Sequence, residues 1–150
     1  MEFLYRINDM IPEIFSELIR TYNFIYMSID GLHSVLAKDN YAISMSVNKD
    51  YVDIYFFHRE EAIIVKYWLQ PFLMENLDDD DRSVARDGDD IETSIINYLL
   101  IYEKVLRTKW QNILMGQKDW VEKYDDKSYM RLIREFNAKE YDRYKSVFQN

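Results

Sequence analysis

YAISMSVNKDYVDIYFFHREEAIIVKYW, residues 41–68, holds three apolar runs separated by two short polar turns. In the first run Tyr41, Ile43, Met45 and Val47 alternate with Ala42, Ser44 and Ser46, the period of a half-buried strand. Asn48-Lys49-Asp50 reads as a turn. Tyr51 to Phe57 is then a strand with Val52, Ile54 and Phe56 on one face and Tyr51, Asp53, Tyr55 and Phe57 on the other. Aromatic residues on both faces predict a central strand covered on both sides. Arg59-Glu60-Glu61 reads as the next turn, and Ala62 to Trp68 as a further strand. Turns this short join antiparallel neighbours.

Upstream, Leu32 to Ala37 adds a fourth strand, with Lys38-Asp39-Asn40 as its turn. Before it, Ile11, Ile14, Phe15, Leu18, Ile19, Tyr22 and Ile25 recur at spacings of three and four, an apolar helical stripe. Pro12 suits the first turn of that helix and Asp9 its cap. Tyr22 to Ile29 reads either as the helix end or as a short strand, closed by Asp30-Gly31. Downstream, Ile91, Ile95, Tyr98, Leu99, Tyr102, Val105, Leu106, Trp110 and Ile113 form the longest stripe, capped by Asp89 or Asp90 and ended by Gly116. Trp120 and Tyr124 fall in a short helix or link. Asp126 opens another helix with Tyr129, Leu132, Ile133 and Phe136, and Ala138 to Phe148 continues it or starts a last one. The expected fold is α+β. An N-terminal helix leads into an antiparallel meander of about four strands, and a C-terminal layer of two to four helices covers it. The 150 residues fit one domain, sheet-rich over 1–77, connected by acidic residues 78–90, and helical over 91–150.

Charge is uneven. The chain carries a net −8, with −5 over residues 1–77, −6 over 78–99 and +3 over 100–150. Asp78, Asp79, Asp80, Asp81, Asp87, Asp89, Asp90 and Glu92 face only Arg82 and Arg86 within their own segment. Such a field attracts a basic partner, although a run of like charge is also what a solvated loop looks like. On that reading, neutralising Asp78 to Asp81 leaves folding nearly intact or slightly improves it by relieving repulsion. An acidic chain argues against nucleic-acid binding. No apolar stretch is long enough to span a membrane, and the N-terminus lacks the pattern of a signal peptide. The chain reads as cytoplasmic. With no cysteine, disulfides, thiolate catalysis and zinc–thiolate sites are excluded.

Catalytic patterns are sparse. The chain has three isolated glycines and lacks a Walker loop, GxGxxG, GxSxG and HExxH. Its two histidines, His33 and His58, read as structural. His58 has the better functional claim because Arg59, Glu60 and Glu61 sit beside it. Asp53 lies inside an apolar strand, where burial raises a carboxyl pKa; equally, it faces outward and pairs with a cation. Counted from Asp81, Glu92 falls at the twelfth position of a calcium loop, but Arg86 occupies the sixth, where glycine is needed. No cofactor and no specific metal site follow from the sequence. Asp79, Asp81, Asp87 and Asp89 form at most a weak divalent-cation cluster, which keeps a metal-assisted enzyme as a third reading.

The same carboxylates suit a binding surface. Asp78, Asp79, Asp80, Asp81 and Asp87 supply charge. Tyr51, Tyr55, Phe57, Tyr124 or Tyr129 supply apolar anchors, unless these rings simply pack the core. In size, acidity, lack of cysteine and α+β layout the whole chain resembles the cytoplasmic immunity proteins that neutralise bacterial polymorphic and contact-dependent toxins. The resemblance rests on no motif and carries no binding residue across. It implies a cognate basic protein toxin as partner, usually a nuclease. The alternative is a structural or regulatory adaptor, and either form is compatible with a homodimer.

Overall fold

The computed structural model describes residues 2–122 and 133–148. Helices α1 (Glu2–Asp9), α2 (Ile11–Ile14) and α3 (Ser16–Tyr22) open the chain. Strands β1 (Ile25–Ser28), β2 (His33–Ala37), β3 (Tyr41–Val47), β4 (Val52–Glu60) and β5 (Ile63–Trp68) follow. Then come α4 (Leu69–Glu75), α5 (Asp79–Arg82), α6 (Ile91–Thr108), α7 (Gln111–Leu114), β6 (Ile133–Glu135) and α8 (Ala138–Arg143). The architecture is α+β, as expected. The sheet has six antiparallel strands in the order β1-β2-β3-β4-β5-β6, a pure meander.

Three stretches depart from the sequence reading or decide an alternative it left open. First, a helix precedes Pro12 and buries Leu4 and Ile7. Asp9 ends that helix rather than capping the next. Pro12 has no N–H to give to the carbonyl four residues back, so the chain breaks between α1 and α2. Second, Ile25–Ser28 resolves the ambiguous stretch as a strand. Asn23, at φ 57°, ends α3 in the left-handed conformation that asparagine tolerates. Third, Ile133–Glu135 is a strand, not part of a helix. Its backbone pairs with Val65–Tyr67 and covers the outer edge of β5, which a helix there would leave open. The expected positions Tyr124, Tyr129 and Leu132 lie outside the described residues. β4 also runs on through Arg59 and Glu60. Glu60 pairs with Ile63, so the turn is Glu61-Ala62, with Glu61 at φ 58°.

The sheet register sorts the side chains. Tyr41, Ile43, Met45, Val52, Ile54, Phe56 and Tyr67 point to one face, where α1–α4, α6 and α7 cover them. Trp120 is 1% exposed there and packs against Phe56, Tyr67 and Phe72. Val35, Ala37, Ala42, Phe57 and Ile64 point to the other face, under Phe136 and Tyr144. β4 is thus central and covered on both sides, as its two-faced aromatic pattern predicts. The C-terminal residues do not simply extend the helical layer; 133–135 join the sheet as β6 and 136–148 form a separate cover on the opposite face.

Candidate functional sites

The acidic connection is half built into the fold. Asp78 caps α5, accepting from the Asp81 amide at 2.8 Å, while the Asp81 carboxylate accepts from the Asp78 amide at 3.1 Å. Asp81 is 1% exposed. Lys109, just past α6, reaches both carboxylates, at 2.9 Å to Asp78 and 2.5 Å to Asp81. The Asp81 amide and the Lys109 ammonium hold the Asp78 carboxyl down to about 2. The same pairing, first with Asp81, raises the pKa of Lys109. Lys104 approaches the exposed Asp80 at 3.4 Å, and Arg6 meets Glu92 at 3.3 Å. Asp90 caps α6 through the Thr93 amide and hydroxyl, as the sequence predicts. Asp78 and Asp81 are therefore structural, which argues against the expectation that neutralising Asp78 to Asp81 leaves folding nearly intact. Asp79, Asp87 and Asp89 stay exposed.

Beside these carboxylates lies a groove of about 340 Å³ between α4, the α5–α6 connection and α6. Met74, Ala85, Tyr98 and Ile101 give it an apolar floor, with Arg82 and Asn97 at its polar side. Asn97 ties the connection to α6. It accepts from the Arg86 amide at 2.8 Å and donates to the Arg86 carbonyl at 3.1 Å. Asp87 and Asp89 follow Arg86 in the same connection, and Asp79 shares the short α5 with Arg82; all three are exposed. No residue pattern announces the groove. Met74, Ala85 and Tyr98, far apart in the chain, come together only in the folded protein.

The predicted aromatic anchors are elsewhere. Phe57 is buried, edge-on to Phe136 at 4.7 Å and to Tyr144 at 4.9 Å. It is a core residue and cannot meet a partner. Tyr55 is half-buried on the same face, with the Lys66 ammonium 4.1 Å over its ring. Burial, with the nearby Asp53 charge, raises its hydroxyl to about 12. Tyr51 is exposed just before β4. Tyr55 and Phe57 thus lie across the sheet from the acidic face. The register decides this, because odd-numbered residues of β4 point away from α6.

That second face holds a polar cavity of about 180 Å³, which includes Ser46, Asp53, Tyr55, Lys66, Glu140 and Arg143 in its walls. Trp68 donates its indole N–H to Asp53 at 3.0 Å, and Asn48 donates at 3.4 Å. Burial still raises the Asp53 pKa against the pull of Trp68, Lys66 and Asn48. Glu140 accepts from Lys66 at 2.7 Å, from Arg134 at 2.6 and 2.9 Å, and from the Asn137 amide at 2.9 Å. Burial opposes ionisation, but these donors hold Glu140 down to about 2. His33 bonds Asp30 at 2.7 Å on one ring nitrogen and meets Arg143 at 3.5 Å on the other. Of this set the sequence marks Asp53 as a charge inside an apolar strand, Tyr55 as an anchor and His33 as a structural histidine, and gives no sign that they meet.

His58 stacks on Phe56 on the helix-covered face, and its buried Nδ1 has no hydrogen-bond partner among the described residues. Burial and the nearby Lys118 lower its pKa, with Glu60 opposing. Among the described residues no three histidine, aspartate or glutamate side chains converge to hold a metal ion. No helix among them is long and apolar enough to cross a membrane. Compared with protein-family models, with curated proteins and with solved structures, the chain matches none.

Proposed function

We propose that this chain is a protein-binding inhibitor of the immunity type, neutralising a basic protein toxin such as a nuclease through its acidic α5–α6 face. The observation that carries the reading is an apolar groove lined in part by Arg82 and Ala85 of the same acidic segment that leaves Asp79, Asp87 and Asp89 exposed. An apolar side chain of the partner enters between Met74, Ala85, Tyr98 and Ile101. Lysines and arginines around it meet Asp79, Asp87 and Asp89. Buried anchors ringed by charge give affinity at the centre and steering at the rim. Because Lys104, Lys109 and Arg6 already neutralise part of the segment, the rim is narrower than the whole acidic run.

The test is binding to the basic product of a neighbouring gene by stopped-flow and calorimetry. The triple variant Asp79→Asn, Asp87→Asn, Asp89→Asn is expected to slow association by about tenfold at low salt and to flatten its salt dependence. Tyr98→Ala is expected to speed dissociation by about tenfold or more. A basic neighbour that neither binds nor is neutralised, or a triple variant that associates at the wild-type rate, removes the proposal.

A second reading, an adaptor acting as a homodimer, is favoured by β1. Among the described residues its outer edge pairs with no strand, and Ile25 is 67% exposed. An open edge without proline or charge invites another strand. Sedimentation across a concentration series tests it: a dimer that Ile25→Lys dissociates supports this reading, and a monomer at all concentrations ends it.

A further inference from the structure

The polar cavity on the second face of the sheet is untouched by the acidic-face reading. Two carboxylates and two cations converge on it, Asp53 and Glu140 with Lys66 and Arg143. Glu140 is saturated by Lys66, Arg134 and the Asn137 amide. Asp53 is not. One of its oxygens takes the Trp68 indole, and the other takes only the long contact from Asn48, whereas a carboxylate offers about four acceptor sites. Arg143 is likewise underused. It gives the long contact to His33 and interacts with the Tyr144 hydroxyl, out of about five N–H donors.

Charge and size narrow what fits. A lone anion here would face Asp53, and a lone cation would face Lys66 and Arg143. In a partly buried site neither charge comes without repulsion. A molecule carrying both charges satisfies both walls. The 180 Å³ volume corresponds to about six waters at roughly 30 Å³ each, which suits a small molecule. We propose that this cavity binds a small zwitterion of the α-amino-acid type, its carboxylate on Arg143 and its ammonium on Asp53. The guanidinium fork suits a carboxylate in two-point contact. The Trp68 indole and Asn48 fix the orientation of Asp53, so the receptor carboxylate is held before the ligand arrives.

The experiment titrates the full chain with a panel of L-amino acids from glycine to glutamate, by calorimetry and by tryptophan fluorescence, since Trp68 touches the receptor carboxylate. Acetate and methylammonium serve as single-charge probes. Saturable binding of at least one amino acid with a millimolar or tighter Kd is expected, weakened about tenfold or more in Asp53→Asn and in Arg143→Gln. Both single-charge probes are expected to bind at least about tenfold more weakly than that amino acid. Arg143 is exposed, so Arg143→Gln keeps the test valid even where Asp53→Asn loses its fold, as checked by circular dichroism. No response to any amino acid overturns the proposal. So does an unchanged Kd in Arg143→Gln, or acetate or methylammonium binding as tightly as the zwitterion.

Discussion

Glu140 shows how one carboxylate couples the sheet to the segment that covers it. Its three partners come from β5, from β6 and from the cap of α8: Lys66, Arg134 and the Asn137 amide. A carboxyl held at about 2 in the folded state, against an ordinary 4.5, stabilises the fold fully above pH 4.5. Between those values the unfolded chain binds the extra proton, so stability falls as the pH drops from 4.5 towards 2. The linked contribution is about 3 kcal/mol. Glu140→Gln is expected to cost a similar amount at pH 7, read from urea midpoints, and to flatten the acid limb of the stability curve. Asp78, held at about 2 against an ordinary 3.8, adds to the same limb, between pH 3.8 and 2. In the acidic run, Lys109→Met strands the buried Asp81 and is expected to lower the urea midpoint clearly. Asp79→Asn, exposed, is expected to stay within about 0.5 kcal/mol of wild type. Equal effects from these two variants would mean that Lys109 is not a clamp.

At the scale of elements, local chemistry places some boundaries and tertiary contacts place others. Pro12 breaks the leading helix and Asp90 starts α6, both for backbone reasons visible in the residues themselves. Gly116 ends the α7 turn at φ 78°, and its role extends beyond conformation. A Cβ there would collide with the Tyr41 ring, whose hydroxyl donates to the Leu114 carbonyl at 2.9 Å. Gly116→Ala is expected to cost roughly 2 kcal/mol or more, the sum of a strained backbone and a displaced core ring, measured by thermal melting. Residues 133–135 behave in the opposite way. Ile133 and Phe136 recur at a helical spacing of three, yet the strand wins, because the open edge of β5 supplies backbone partners that no local pattern can announce. The acidic segment divides similarly. Its aspartates are legible as caps, but Lys109, 28 residues after Asp81, is not legible as their counter-ion.

For the whole molecule, the consequence is a sheet with two differently covered faces. The broad face carries the helices and most of the core, and the narrow face is covered by 136–148. Phe57 is the pivot of the second core, and Phe57→Ala is expected to cost about 3–5 kcal/mol and to loosen the C-terminal cover, detected as faster amide exchange over 133–148. Two groups of residues read together in the sequence end on opposite sides: the acids on the α6 face, Tyr55 and Phe57 on the other. Residues 41–68 by themselves determine the meander, because alternation and tight turns are local properties with a period of two. They also determine that β4 is covered twice. The chain's composition determines the absence of thiol chemistry and the acidic surface. Tertiary structure alone decides which carboxylates remain exposed, which aromatic rings are buried, and that a groove and a polar cavity exist. Those depend on side chains tens of residues apart meeting in space, and pairings at that distance leave no periodic trace along the chain.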